Sequence, residues 1–165
     1  MKKVAIIMGS DSDLKAMTGA MDALKALEIP YAVRVLSAHR TPDAAAKFAR
    51  GARDDGYGVI IAAAGKAAHL AGAMAANTIL PVVGVPMKSS TLDGLDALLS
   101  TVQMPSGMPV ATVAIDGTTN AALLAAQILA LSDEALARRF ADYRAAQTAK
   151  VEAKDTEISA EYSRL

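Results

Sequence analysis

Five short aliphatic runs, each followed by residues at helical spacing, constrain the fold of this 165-residue chain more than any other feature. The runs predict strands at residues 4–8, 31–36, 59–63, 81–85 and 110–115. They are apolar throughout rather than alternating, which is typical of parallel strands with helices on both faces. The repeated units predict a three-layer α/β/α fold with a central parallel sheet in the flavodoxin-like order 2-1-3-4-5 and a long C-terminal helix.

The last part of the chain differs from the rest. From Ser132, a predicted helix N-cap, it runs to Leu165 without proline or glycine, and its large apolar residues thin to Val151 and Ile158. We therefore divide the chain into an α/β domain over residues 1–132 and a helical extension over residues 133–165. Because the far end of this helix has few large side chains to hold it, we expect the extension to pack on a neighbouring subunit.

Composition excludes several classes of function. The 17 basic and 17 acidic residues leave no net charge to favour a nucleic acid or an anionic membrane. The uncharged stretch at residues 67–87 is interrupted by Asn77, Pro81, Gly84 and Pro86, so we predict buried structure there and no membrane span. With no cysteine and only two histidines, a metal site is not expected, and a reducing cytoplasm is the predicted compartment.

Both histidines follow predicted strands. Parallel α/β sheets bind ligands outside the carboxyl ends of their strands, near the point where the strand order reverses. This rule selects the segments 9–13, 37–40 and 64–70, which are neighbours in the order 2-1-3-4-5. His39 and His69 fall in two of these segments. The coincidence predicts one ligand site.

The segment 9–13 reads Gly-Ser-Asp-Ser-Asp. Ser10 and the free N–H groups of the following helix favour a phosphate, while Asp11 and Asp13 would accept hydrogen bonds from ribose hydroxyls. A capping box, with Ser10 at the N-cap and Asp13 three residues later, explains the same residues without a ligand. Taken alone, the segment leaves both interpretations open.

The segment 37–40 places a histidine and an arginine directly before the helix start at Thr41-Pro42-Asp43. Arg40 can contact a phosphate at two points, and His39 can donate or accept a proton near neutrality. Alternatively, Arg40 is a solvated charge and His39 a loop residue bonded to backbone. Because His39 and Arg40 occur together and beside the segment 9–13, we favour a functional site.

Small residues dominate the segment around His69. Gly65, Ala67 and Ala68 would let the backbone approach a flat ligand closely, although helix propensity also explains the alanines. His69 could equally face a packed polar neighbour. Its place after a central strand favours function.

Six motifs occur in one order and cover roughly residues 4–131. They are Met8-Gly9-Ser10-Asp11-Ser12-Asp13, Ser37-Ala38-His39-Arg40-Thr41-Pro42, Ala67-Ala68-His69-Leu70, Gly84-Val85-Pro86, Val102-Gln103-Met104-Pro105 with Gly107 and Pro109-Val110, and Asn120-Ala121-Ala122-Leu123-Leu124-Ala125. Together they resemble the class I N5-carboxyaminoimidazole ribonucleotide mutases of purine biosynthesis.

The resemblance implies an isomerase that moves the carboxylate of N5-carboxyaminoimidazole ribonucleotide from nitrogen to carbon, giving 4-carboxy-5-aminoimidazole ribonucleotide. It implies no cofactor and no metal, a small-molecule ribonucleotide as partner, and a homo-octamer. By the same resemblance His39 is the proton shuttle and His69 helps to bind or polarise the carboxylate. The substrate-binding residues that it implies are Ser10 and Arg40 at the phosphate, Asp13 at the ribose, and Ser37, Gly65, Ala67, Ala68 and Leu70 around the base and carboxylate. We add Asp11, Ala38 and Lys66, which lie in the same three segments, to the predicted substrate-binding residues.

Two residues depart from the family pattern. Lys66 stands where the family commonly has glycine or another residue, and Ala71 where proline is usual. We favour a solvated side chain for Lys66 over an extra cation near the carboxylate. Two alternative functions remain: a carboxylase that uses CO2 directly, as in the related class II enzymes, and a nucleotide-binding module without catalysis.

Overall fold

Five parallel strands form a single sheet in the order β2-β1-β3-β4-β5, which confirms the predicted topology. The structure is a computed structural model that describes residues 1–163. The strands are β1 Lys3–Met8, β2 Tyr31–Val35, β3 Tyr57–Gly65, β4 Val82–Met87 and β5 Ala111–Thr112. The predicted fifth strand at residues 110–115 is wrong in length: the regular pairing with β4 covers only Ala111–Thr112, although the Val113 N–H still donates to the Gly84 carbonyl at 3.1 Å.

Six helices connect and extend the strands. They are α1 Leu14–Ala26, α2 Pro42–Gly51, α3 Leu70–Ala75, α4 Leu95–Val102, α5 Thr118–Ala130 and α6 Glu134–Tyr162, with short 3-10 turns at Asp11–Asp13 and Leu92–Gly94. The N-cap of α6 is Asp133 rather than the predicted Ser132. The Asp133 carboxylate accepts a hydrogen bond from the Leu136 N–H at 3.0 Å, which satisfies one free donor of the first turn.

The sheet has a hydrophobic core on each face, as its uninterrupted apolar strands predict. Successive side chains of β1 alternate between the two: Val4, Ile6 and Met8 face one core, and Ala5 and Ile7 face the other. Helices α1 and α5 with the start of α6 cover the first core, and helices α2 and α3 cover the second. Because all five strands are parallel, their carboxyl ends lie at one edge of the sheet.

Only the first part of α6 packs on its own domain. Leu136 is fully buried, and Phe140 and Tyr143 pack against the first core, whereas residues 144–162 are exposed along their whole length. Arg164 and Leu165, the last residues of the predicted extension, lie outside the described residues. Across the described chain, no helix has the length and apolar character that crossing a membrane requires.

Candidate active site

A cleft of about 560 Å³ lies at the carboxyl edge of the sheet. Its walls are the loops that follow β1, β2, β3 and β4, which parallel strands necessarily bring to the same edge. The volume falls within the range of small-molecule sites. The lining residues are Gly9, Ser10, Ser12, Asp13, Ser37, Ala38, His39, Arg40, Ala64, Gly65, Lys66, Ala67, His69, Leu70, Lys88 and Ser89.

The loop after β2 is stiffened by its own hydroxyl groups. The Ser37 hydroxyl accepts hydrogen bonds from the backbone N–H groups of His39 at 3.3 Å and Arg40 at 3.1 Å. The Thr41 hydroxyl accepts from the Ser37 N–H at 2.9 Å and donates to the Ser37 carbonyl at 3.1 Å. Helix α2 then begins at Pro42. Proline lacks a backbone N–H, but an N–H at the first helical position would have no partner within the helix. These bonds fix where His39 and Arg40 point.

Arg40 joins two of the cleft loops. Its Nη2 donates to the Gly9 carbonyl at 2.6 Å, and its Nε donates to the Ser37 hydroxyl at 3.4 Å. A guanidinium carries five N–H donors, so donors remain for an anion after these two contacts. The loops after β1 and β2 thus share one cation, which both positions the loops and presents a positive charge to the cleft.

The two histidines of the chain touch. His39 Nε2 lies 2.8 Å from His69 Nδ1, and the rings meet edge to face with an interplanar angle of 87°. His69 caps the start of α3 without using its side chain there, so its Nδ1 is available to His39. One nitrogen must donate and the other accept, so the contact holds a single proton between two imidazoles.

The loop after β1 contains a 3-10 turn and one carboxyl group, that of Asp13, whose pKa is raised. The Ser10 hydroxyl accepts a hydrogen bond from the Ser12 N–H at 3.3 Å, which starts the 3-10 turn before α1. Burial raises the pKa of Asp13, and the charges of Asp116 and Asp11 act in the same direction, while a hydrogen bond with Ser12 opposes them. A partly desolvated carboxylate of this kind gains from neutral donors such as sugar hydroxyls.

The loop after β3 lies close against β4. A Cβ at Gly65 would be 3.3 Å from the Met87 carbonyl oxygen, tighter than side chains normally accept, so glycine permits this approach. The next residue, Lys66, has a φ of 56°, the left-handed region that glycine favours. The loop therefore lines the cleft with backbone and one long cationic side chain.

The structure brings together nearly all the predicted site residues and leaves two outside. Asp11 does not line the cleft: it is exposed and accepts a hydrogen bond from the Ser10 hydroxyl at 3.3 Å. Ala68 is buried, with 2% exposure, and does not line the cleft. The other predicted residues line the cleft: Ser10, Asp13, Ser37, Ala38, His39, Arg40, Gly65, Lys66, Ala67, His69 and Leu70.

Lys88 and Ser89 follow β4 and line the same cleft, and neither is among the residues predicted from the sequence. The strand-end rule that selected the first three loops applies equally to β4 and would have found them. Within residues 1–163, no three His, Asp or Glu side chains cluster as a metal ion would require. A larger groove of about 970 Å³ lies at the opposite edge, but its lining contains neither histidine.

These features define a class: a flavodoxin-like α/β protein with a histidine pair in a cleft at the carboxyl ends of its strands. The family model described as AIR carboxylase matches residues 3–150. The chain belongs to this family. Its helical tail beyond residue 150 lies outside the match.

Several relatives are similar over most of their length. A Brucella melitensis protein named N5-carboxyaminoimidazole ribonucleotide mutase is 59% identical over 90% of this chain and 93% of its own. Proteins of the same name from Escherichia coli K12 and Mycobacterium tuberculosis H37Rv are 54% and 53% identical, over 90% and 94% of this chain and 89% and 90% of theirs. The crystal structure of Treponema denticola PurE superposes with a TM-score of 0.85 at 30% identity, covering 98% of each chain.

Proposed function

We propose that this protein is an N5-carboxyaminoimidazole ribonucleotide mutase of purine biosynthesis. It is an isomerase that moves a carboxylate from the exocyclic nitrogen of the aminoimidazole to ring carbon C4. The relatives that are 53–59% identical carry this name, which favours the mutase over the direct carboxylase and over a silent binding module. The observation on which the chemistry rests is the 2.8 Å contact between His39 and His69 inside the cleft.

The phosphate and ribose bind at the β1 and β2 side of the cleft. Ser10 and the remaining donors of Arg40 bind the phosphate, because a guanidinium fork matches phosphate oxygens. The raised pKa of Asp13 marks a carboxyl group short of solvent, and the ribose hydroxyls supply it with donors. Arg40 already contacts Gly9 and Ser37, so its guanidinium is positioned before the ligand arrives.

The heterocycle and its carboxylate bind beside the histidines. Ser37, Ala38, Gly65, Ala67 and Leu70 form this part of the cleft. Small side chains leave room for a flat ring, and their backbone N–H groups are donors for a carboxylate. A close fit also keeps released CO2 near the carbon that must capture it.

His39 moves the proton that the reaction requires. Loss of CO2 from the carbamate breaks the N–C bond, and the departing nitrogen takes a proton from His39. Carbon C4 then attacks CO2, a C–C bond forms, and the C4 proton returns to His39. The proton and the carboxylate balance, so the step needs no oxidant and no other reactant. An imidazole suits both roles because it exchanges protons near neutrality.

A spectroscopic assay with two substrates tests this function. We expect the protein to convert N5-carboxyaminoimidazole ribonucleotide to the C4-carboxylated product without added bicarbonate. Turnover of aminoimidazole ribonucleotide only with bicarbonate would show a direct carboxylase instead. Binding of both nucleotides without turnover would show a silent module.

We further propose that residues 133–165 pack on a neighbouring subunit of a cytoplasmic homo-octamer. The exposed stretch 144–162 supports this arrangement, because Val151 is 70% and Tyr162 71% exposed on the single chain. Truncation after Tyr143 removes only this exposed part and leaves the residues that pack on the core. Light scattering is expected to show a smaller assembly, and an unchanged mass would contradict the proposal.

A further inference from the structure

Lys66 occupies a costly backbone position in the wall of the cleft. Its φ of 56° lies in the left-handed region, where the Cβ of a non-glycine residue is crowded against the following carbonyl oxygen. Residues held in such conformations concentrate at functional sites. Glycine adopts a positive φ without this steric cost, so the backbone conformation at residue 66 does not itself require a lysine.

Arg40, Lys66 and Lys88 are the basic side chains of the cleft lining. Lys88 Nζ lies 3.3 Å from Asp93, so its charge is matched, whereas Arg40 donates only to the uncharged oxygens of Gly9 and Ser37. Among residues 1–163, no ion pair within 4.0 Å involves Lys66. An unmatched cation in a cleft wall attracts an anionic ligand.

The strand order separates Lys66 from the phosphate-binding residues. Arg40 follows β2 and Lys66 follows β3, with β1 between them, so their loops begin roughly 10 Å apart at the sheet edge. A carboxylated ribonucleotide carries two anionic groups, and its ribose and ring hold them apart. With the phosphate at Arg40, the carboxylate is the group directed toward the β3 side.

We propose that Lys66 is a specificity-determining residue that recognises the carboxylate of the ribonucleotide. This inference rests on the proposed function and assigns to one side chain the discrimination between carboxylated and uncarboxylated nucleotides. The Lys66 ammonium stabilises the carboxylate of the substrate and of the product. It makes no such contact with the ring that remains after CO2 is lost, so its effect depends on the carboxyl group alone.

Calorimetric binding to the full chain tests the proposal with two probes, 4-carboxy-5-aminoimidazole ribonucleotide and 5-aminoimidazole ribonucleotide. In Lys66→Met we expect the Kd of the carboxylated nucleotide to rise about tenfold and that of the uncarboxylated nucleotide to stay within about twofold. Lys66→Arg keeps the charge and should restore most of the affinity. Lys25→Met, an exposed lysine at the far end of α1, is the matched control and should change neither Kd.

The outcomes separate this proposal from the function on which it rests. If Lys66→Met weakens the binding of both nucleotides equally, or changes the binding of neither, the role of Lys66 is overturned. The mutase assignment then still stands. If the unaltered protein binds neither nucleotide, the proposed function itself fails, and the role of Lys66 fails with it. Lys66→Gly, which also removes the backbone strain, guards against a folding defect: it should show the same selective loss.

Discussion

His39 Nε2 and His69 Nδ1 lie 2.8 Å apart, although the residues are 30 positions apart in the chain. One imidazole follows β2 and the other precedes α3, so the pair spans the β1 loop that lies between them in the sheet. Whichever nitrogen of this contact carries the proton, the other accepts, so the tautomers of the two rings are coupled. A coupled and oriented pair of this kind suits a proton shuttle, because a change of protonation at one ring is matched at the other.

Replacing His39 by asparagine should abolish proton transfer without preventing the nucleotide from binding. The asparagine amide is too short to place a polar atom where His39 Nε2 lies. We expect kcat to fall by about 100- to 10,000-fold while the Kd of the nucleotide changes little. Stopped-flow assays and calorimetry measure the two quantities, and a variant that retains its turnover would contradict the shuttle role.

His69 is expected to act as a positioning residue through its Nδ1 atom. Asparagine places an amide atom near the position of Nδ1, whereas leucine fills the space without any polar atom. His69→Leu should therefore lower kcat more than His69→Asn, with a smaller change in KM for both. The comparison of kcat between the two variants is the measurement. Equal activity would mean that the hydrogen bond to His39 does not matter.

Arg40 should affect binding rather than the chemical step. Arg40→Ala removes the charge and also the contact between the β1 and β2 loops, and Arg40→Lys keeps the charge but loses the planar fork. We expect KM to rise about 10- to 100-fold in the alanine variant and less in the lysine variant, with kcat nearly unchanged. A fall in kcat at unchanged KM would place Arg40 in the proton-transfer step instead.

Asp13 should make stability depend on pH in a defined direction. Because its pKa is raised above the ordinary value of 3.8, the folded protein binds this proton more tightly than the unfolded chain does. Below 3.8 the group is neutral in both states, and stability falls as the pH rises from 3.8 through the raised folded value. Ionised Asp13 therefore destabilises the fold at neutral pH.

The variant Asp13→Asn tests that dependence. It should have a higher Tm than the unaltered protein at neutral pH, and the difference should shrink as the pH falls toward 3.8. Thermal unfolding followed over this range measures it, with Asp22→Asn on the exposed face of α1 as the control. A Tm difference that does not vary with pH would show that the effect comes from packing.

Local patterns predicted the fold well because they report burial directly. Uninterrupted apolar runs require helices on both faces, and the proline before β4 and the Thr41-Pro42 start of α2 mark where elements begin. Boundaries were less accurate: β5 ends at Thr112, and the cap of α6 is Asp133. Such ends depend on hydrogen bonds between neighbouring elements, which no local pattern contains.

The location of the cleft was also predictable, because the strand-end rule converts strand order into neighbouring loops. Which residues line the cleft could be predicted only in part. Asp11 and Asp13 look equivalent in the sequence, yet only Asp13 lines the cleft, since the 3-10 turn points the two side chains in different directions. Lys88 and Ser89 follow β4, so they line the cleft at the same edge of the sheet.

The order of apolar and helical segments determined by itself that this chain forms a parallel sheet with the loops of its cleft at one edge, because that order sets which surfaces must be buried. Only the tertiary structure decided that His39 contacts His69 and that Arg40 joins two loops. Those facts are distances between residues far apart in sequence. Distances of that kind are fixed by how the layers pack, which the spacing along the chain does not encode.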